Sequence, residues 1–311
     1  MLRDDTTPLT VAIASGKGGT GKTLVATNLA YIAAVTGTPV ALVDCDAEAP
    51  NDAIFLPAAE TTRHTVETTE VVVDAEACTA CGICRDACAY GAMRILGASA
   101  MLFPELCHGC GLCAHVCPTG AIADTARRVG EVSVGEVRLA RSAANGSPAA
   151  LSLVTGKLDV GEVKTPEIIR AARSIAVEIA PQLTILDAPS GVACAAVAAV
   201  RGADALLLVT EPTPFGLHDL ELSFELGVDL GIPMGVLVNR SGAGKTDVDA
   251  WCNDRRIPVL AHIGFNRAIA EVYARGELLA AVDPLYHDVF RRVLASLRLL
   301  GSTRPQAVLV R

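Results

Sequence analysis

The sequence predicts an α/β fold, with a mostly parallel sheet carrying helices on both faces and a small cysteine-rich α+β domain inserted into it. Three observations lead there. Short apolar runs alternate with helical patterns along most of the chain, the order expected when parallel strands are joined by crossover helices. Hydrophobic residues make up 51% of the 311 residues but aromatics only 4%, a composition that builds a core from Val, Leu, Ile and Ala and suits strands covered on both sides. Eight of the eleven cysteines fall between positions 78 and 117, which sets one stretch apart from the rest.

Taken in order, Leu9 to Ala14 reads as a buried strand and runs straight into a glycine-rich loop. Leu24 to Val35 reads as a helix, with Leu24, Ala26, Leu29, Ala30 and Ile32 apolar and Gly37 closing it. Val40 to Val43 is a second strand that ends in Asp44-Cys45-Asp46. Thr61 to Thr69 is polar and threonine-rich and reads as a linker. The cysteine-rich segment spans roughly 71–124 and is weakly repeated, Cys88-Ala89-Tyr90-Gly91-Ala92-Met93 mirroring Cys117-Pro118-Thr119-Gly120-Ala121-Ile122. The α/β pattern then resumes. Helices are expected at Glu167 to Ile179, Gly216 to Leu226, Arg267 to Arg275 and His287 to Leu300. Strands are expected at Leu183 to Leu186, Ala205 to Val209, Met234 to Val238 and Pro258 to Ile263. Ala143 to Pro148 reads as a loop and Gly301 to Arg311 as a poorly ordered tail. The expected division is therefore 1–66 and 127–300 for the main domain, 67–126 for the insert and 301–311 for the tail.

The glycine-rich loop carries chemistry. Gly16-Lys17-Gly18-Gly19-Thr20-Gly21-Lys22-Thr23 matches G-x4-G-K-[ST] between a strand and a helix, the setting of a phosphate-binding loop. Glycines let successive N–H groups turn toward one anion, and the helix N-terminus adds its positive end. Lys22 is placed to reach the terminal phosphates of a nucleotide and Thr23 to ligate Mg²⁺. On its charge alone, Lys17 is either functional or simply solvated. Asp44, Asp46 and Asp187 stand at strand ends, where carboxylates hold Mg²⁺ or orient attacking water, although a lone acid there is often only a cap or loop residue. Asn239, ending another strand, is either a turn residue or a ligand contact.

The cysteines are more specific. Cys78, Cys81, Cys84 and Cys88 form C-x2-C-x2-C-x3-C, and Cys107, Cys110, Cys113 and Cys117 repeat it with Pro118 following. This is the ligand run of a bacterial two-cluster ferredoxin, in which the fourth cysteine of each run serves the other cluster. Cys78, Cys81, Cys84 and Cys117 are thus expected to hold one 4Fe–4S cluster, and Cys107, Cys110, Cys113 and Cys88 the second. Zinc sites instead use separated C-x2-C pairs. Ala89 stands where proline usually follows the first run, which alters the turn and not the ligation. Cys45 and Cys252 read as small buried hydrophobes.

The string Lys17-Gly18-Gly19-Thr20-Gly21-Lys22-Thr23 resembles the deviant phosphate loop of the MinD/ParA family (Mrp-like P-loop ATPases), which includes the nitrogenase iron protein. The resemblance implies that Lys17 reaches the phosphates of a neighbouring subunit in an ATP-sandwich homodimer. By the same pattern Asp46 is the hydrolytic aspartate, Asp187 the magnesium aspartate ahead of a switch segment Ala188-Pro189-Ser190-Gly191, and Asn239 the adenine contact. The whole arrangement looks like MinD-superfamily ATPases with an inserted ferredoxin domain, over residues 9 to about 285. It includes Cys107-His108-Gly109-Cys110-Gly111, Gly191-Val192-Ala193-Cys194, and the string from Thr210 through Glu211-Pro212-Thr213-Pro214-Phe215-Gly216 to Leu220. That last string is similar to the metallocluster-handling branch. Cys194 resembles a cluster-ligating position of the nitrogenase iron protein, but no convincing second cysteine accompanies it.

A net charge of −8 argues against nonspecific nucleic-acid binding. No apolar run reaches membrane-span length. Met1 to Thr10 carries acids and no apolar core, so no signal peptide is expected, and cysteine richness then points to metal ligation in a reducing cytoplasm. The expected function is a Mg²⁺-dependent ATPase that couples dimer rearrangement to electron transfer, through two 4Fe–4S clusters, to a client metalloprotein. The alternatives are a module that assembles or delivers an Fe–S or metal cluster, and, more weakly, a redox-sensing positioning ATPase.

Overall fold

A computed structural model describes residues 8–139, 150–179 and 181–302. The expected loop at Ala143 to Pro148 and the tail beyond Ser302 lie outside the described residues. In chain order the elements begin with β1 (Leu9–Ala14), α1 (Lys22–Val35), β2 (Val40–Asp44), α2 (Asp52–Phe55) and β3 (Ala58–Val73). The insert follows, with α3 (Ile83–Ala87), β4 (Met93–Leu96), β5 (Ser99–Leu102) and α4 (Leu112–His115). The chain returns through β6 (Ile122–Val137), β7 (Leu151–Leu158), α5 (Thr165–Glu178), β8 (Leu183–Asp187), α6 (Cys194–Val200) and β9 (Ala205–Thr210). It finishes with α7 (Pro214–Asp229), β10 (Met234–Ser241), α8 (Val248–Asp254), β11 (Val259–Gly264), α9 (Arg267–Ala274), α10 (Leu279–Val282) and α11 (Pro284–Ser302).

The main sheet has nine strands in the order β11-β10-β9-β1-β8-β2-β7-β6-β3. From β11 to β7 every neighbouring pair is parallel, while β6 is antiparallel to β7 and to β3. Strand alternation divides the apolar residues between two cores. Val11 and Ile13 pack with α1, α10 and α11, while Ala12 and Ala14 pack with α5, α6, α7 and α8 on the other face. Both faces are covered, which is why the central strands read as unbroken apolar runs. The alanine-rich α1 is buried nearly all round, and its small side chains let it lie close to the sheet.

The Thr61 to Thr69 segment is not a linker. It lies inside β3, which pairs antiparallel with β6 from Ala58↔Val137 out to Val73↔Ile122. Threonine is β-branched and favours extended backbone, and an edge strand tolerates a polar outer face. Only the base of this ribbon joins the main sheet, where Gly130 to Glu136 of β6 pairs with β7. Its far end carries the insert, whose small core consists of Val71, Cys84, Met93, Ala100 and Ile122. The insert is therefore mounted on a paired arm that continues through positions 66–67 and 126–127, with a register shift between Val66 and Glu67.

Candidate functional site

The C-terminal ends of the parallel strands surround a cleft of about 420 Å³, lined by the glycine-rich loop, Asp46, Asn51, Asp187, Ser190, Asn239 and residues of β11 and α9. β1 delivers the chain to the loop and α1 begins at Lys22, so the first-turn N–H groups open toward the cleft. Gly21 is in the left-handed region at φ 99°, and a Cβ there would stand 2.3 Å from Asn239 Nδ2; no other residue type fits. Asn239 Nδ2 donates to the Thr20 carbonyl at 2.7 Å, tying the end of β10 to the loop.

Lys22 is 8% exposed and donates to Ser15 Oγ at 3.0 Å and Ser190 Oγ at 2.8 Å. Burial pushes its pKa down, against the attraction of Asp187 and Asp46. Thr23 Oγ1 donates to Asp187 Oδ2 at 2.7 Å, while Asp187 Oδ1 is buried with no donor. Burial raises Asp187 to about 6, opposed by the Thr23 hydroxyl and the Lys22 charge. Asp46 is also raised, chiefly by burial, with Lys22 pulling it back.

Asp44 has a different task from Asp46. Its carboxylate accepts from the backbone N–H of Asp46 at 3.1 Å, Asn51 at 2.8 Å and Asp52 at 3.0 Å, so it folds the segment between them into a compact turn. Burial first, and the Asp187 charge second, push it up to about 7. Asp52 was not singled out in the sequence. It is 0% exposed, neither carboxylate oxygen has a donor, and Asp44 and Asp187 are its charged neighbours. The available signal was an acid heading the apolar run Ala53-Ile54-Phe55-Leu56. The far wall, formed by Arg240, Phe265, Asn266, Ile269 and Tyr273, was also missed. Lys17 pairs with Glu211, which Arg240 also holds at 3.0 Å. Burial works to raise the Glu211 carboxyl, but these two cations keep it below its usual range.

In the insert, Cys88, Cys107, Cys110 and Cys113 line one concavity with Val71, Met93 and Leu102. Cys78, Cys81 and Cys84 lie close enough for their charges to interact, and Cys117 lies close to Cys78. Backbone N–H groups turn to sulfur: Ala92 to Cys88 at 3.2 Å, Ala100 to Cys78 at 3.4 Å and Gly109 to Cys107 at 3.4 Å. The Ala100 N–H foremost holds the Cys78 thiol below its usual pKa. Burial would raise Cys88, but the N–H groups of Met93, Ala92, Tyr90 and Gly91 outweigh it and bring the thiol down. Gly109, at φ 64°, lies against β3, where a Cβ would stand 2.6 Å from the Thr69 carbonyl oxygen. Among the described residues no three of His, Cys, Asp or Glu converge as a single bound ion requires. Cys45 and Cys252 are buried, as expected, and Cys194 is exposed at the start of α6.

A cleft at the strand ends, closed on one side by a glycine-rich loop and a buried lysine, defines a nucleotide-binding α/β protein of the P-loop class. The family model for the CobQ/CobB/MinD/ParA nucleotide binding domain matches residues 11–279, and the chain belongs to that family. It is 29% identical over 274 residues to the uncharacterized protein MJ0579 of Methanocaldococcus jannaschii, covering 86% of this chain and 90% of that one. It is 34% identical over 209 residues to MJ0578 of the same organism, covering 67% and 70%. Among solved structures it resembles the septum site-determining protein MinD of Pyrococcus horikoshii, complexed with Mg-ADP. There the TM-score is 0.57 at 17% identity, over 93% of this chain and 96% of that one. Among the described residues no helix is long and apolar enough to cross a membrane.

Proposed function

We propose that this protein hydrolyses ATP in a sandwich homodimer and couples the resulting rearrangement to electron transfer, through two 4Fe–4S clusters, from a low-potential one-electron donor to a client metalloprotein. The observation that carries the reading is the grouping of Cys88 with Cys107, Cys110 and Cys113 around one concavity. Cys88 comes from the other run, and crossed ligation is what the two-cluster motif requires. Three of the thiols fit the group in a second respect, because N–H groups aimed at the sulfurs of Cys78, Cys88 and Cys107 favour thiolate over thiol, although burial raises Cys84 and Cys113. A cubane takes one thiolate per iron corner, so its ligands need not meet at a point as those of a single ion do. When bound, the clusters supply one-electron transfer.

The remaining chemistry belongs to the chain's own residues. Lys22 and the loop N–H groups hold the nucleotide phosphates. Thr23 and Asp187 fit a Mg²⁺ site, since Asp187 keeps one buried oxygen without a donor, and the MinD neighbour is described with Mg-ADP. Asp46 lines the cleft and takes the proton of the attacking water as its oxygen bonds to the γ-phosphorus and the bond to the ADP oxygen breaks. Lys17 leaves Glu211 to reach the phosphates of the facing subunit, and Asn239 lies on the adenine side.

The test is metal and sulfide analysis of anaerobically prepared protein. About eight iron and eight sulfide per chain are expected, with the EPR signal of interacting 4Fe–4S clusters on reduction. Stoichiometric zinc without sulfide sinks the cluster assignment.

A further inference from the structure

The loop between β7 and α5 touches two places that lie far apart in sequence. Lys164 is 8% exposed and turns its ammonium to the carbonyl oxygen of Cys107, the first cysteine of the second run. The next residue, Thr165, is 7% exposed and donates through Oγ1 to Glu48 Oε1 at 3.2 Å. Glu48 belongs to the turn that starts at Asp46 and ends at Asn51, both of which line the nucleotide cleft. Backbone bonds anchor the same loop, with Leu158 N–H donating to the Ala47 carbonyl at 2.9 Å and Asp159 N–H to the Val129 carbonyl at 3.0 Å. On the insert side, Arg127 of β6 pairs with both Glu162 of this loop and Glu70 of β3.

We propose that Lys164 and Thr165 are positioning residues that link the second cysteine site to the nucleotide cleft, so that the redox state of one sets the affinity of the other. This rests on the cluster reading above. A buried ammonium is screened little from a charge beside it. An electron delivered to the Cys107 side adds negative charge on one side of Lys164. Movement of the Asp46 turn toward nucleotide phosphate displaces Glu48, and with it Thr165. Lys164 and Thr165 are consecutive at the entry to α5, so a shift of this backbone moves both contacts. Linkage makes the effect reciprocal. Each tenfold change in ATP affinity on reduction corresponds to about 59 mV in one-electron potential on ATP binding.

The experiment uses full-length protein under anaerobic conditions, with iron and sulfide measured first. Affinity for a non-hydrolysed ATP analogue is then determined for oxidised and dithionite-reduced protein, and potentials are measured with and without the analogue. Wild-type affinity is expected to change about fivefold or more on reduction. Lys164→Met and Thr165→Val should each bring the ratio close to one, with iron, sulfide and oxidised-state affinity unchanged, and Lys164→Arg should restore most of it. If Lys164→Met loses iron, Thr165→Val decides, because it leaves the Cys107 contact in place. Iron-free, sulfide-free wild type refutes the cluster reading itself. Iron-replete wild type with a ratio of one, or iron-replete Lys164→Met and Thr165→Val that both keep the full ratio, overturns the link alone.

Discussion

Asp52→Asn is expected to stabilise the nucleotide-free protein, and to do so only where carboxyls ionise. Asp52 is fully buried, its two oxygens lack donors, and Asp44 and Asp187 press negative charge on it. Its pKa in the folded state is well above the usual carboxylate range, from burial first and those two neighbours next. A group that binds its proton more tightly folded than unfolded lowers stability as pH rises above its unfolded value. The deficit starts near pH 4 and is complete once pH passes the folded value. An amide removes the charge and keeps a donor facing Asp187, which the Asp52 carboxyl supplies only while it holds its proton. A buried unpaired polar group costs about 1–3 kcal/mol, so the gain at pH 8 should be about 2 kcal/mol. With a urea slope of about 2 kcal/mol/M, that moves the midpoint by about 1 M. Trp251, the one tryptophan in the chain, stacks edge-on with Phe224 and reports unfolding of the ATPase core by fluorescence. Midpoints should coincide for the two proteins at pH 4.5 and separate progressively toward pH 8. A shift of equal size at both ends, or a loss at pH 8, refutes the reasoning.

Five other substitutions separate the parts of the site. Lys22→Ala should abolish tight ATP binding, whereas Lys17→Ala should retain it and lose ATP-dependent dimerisation and hydrolysis; a Lys17→Ala protein that sediments as a dimer with ATP and turns over at the wild-type rate excludes the sandwich. Asp46→Ala should bind ATP, hydrolyse it at least 100-fold more slowly and remain dimeric, as read by size-exclusion with ATP and phosphate release. Gly109→Ala forces a Cβ to within 2.6 Å of the Thr69 carbonyl at a φ of 64°. Like Cys88→Ser, it should cost about half the iron, and full iron content in both variants speaks against a cluster held by Cys88, Cys107, Cys110 and Cys113.

The phosphate loop, the strands that end at or close to Asp46, Asp187 and Asn239, and both cysteine runs were legible because each is local in sequence. Gly16 to Thr23 needs only its flanking strand and helix, and a ligand run is defined by spacing. What stayed hidden depends on pairing across long separations. The threonine-rich segment reads as polar until β6, dozens of residues away, is laid beside it. Asp44 and Asp46 look equivalent along one strand end, yet the backbone bonds to Asn51 and Asp52 show that only Asp46 is left facing the cleft. Lys17 carries a family signature, but its resting partner Glu211 comes from the turn after β9. No periodicity in the sequence announces such a pair.

The arm that carries the insert also bears on how such a chain arises. Val73 and Ile122 are directly opposed across β3 and β6, and opposed residues of an antiparallel pair stand about 5 Å apart. The chain leaves and re-enters the arm at a spacing that a tight turn spans. For the ATPase core, everything from Asp74 to Ala121 is topologically the loop of a hairpin, and hairpin tips are where foreign sequence is most readily accepted. A two-residue turn and the cysteine-rich insert are alternative occupants of that position. Replacing residues 74–121 with Asn-Gly should close the hairpin again and return a nucleotide-binding protein without cysteine clusters.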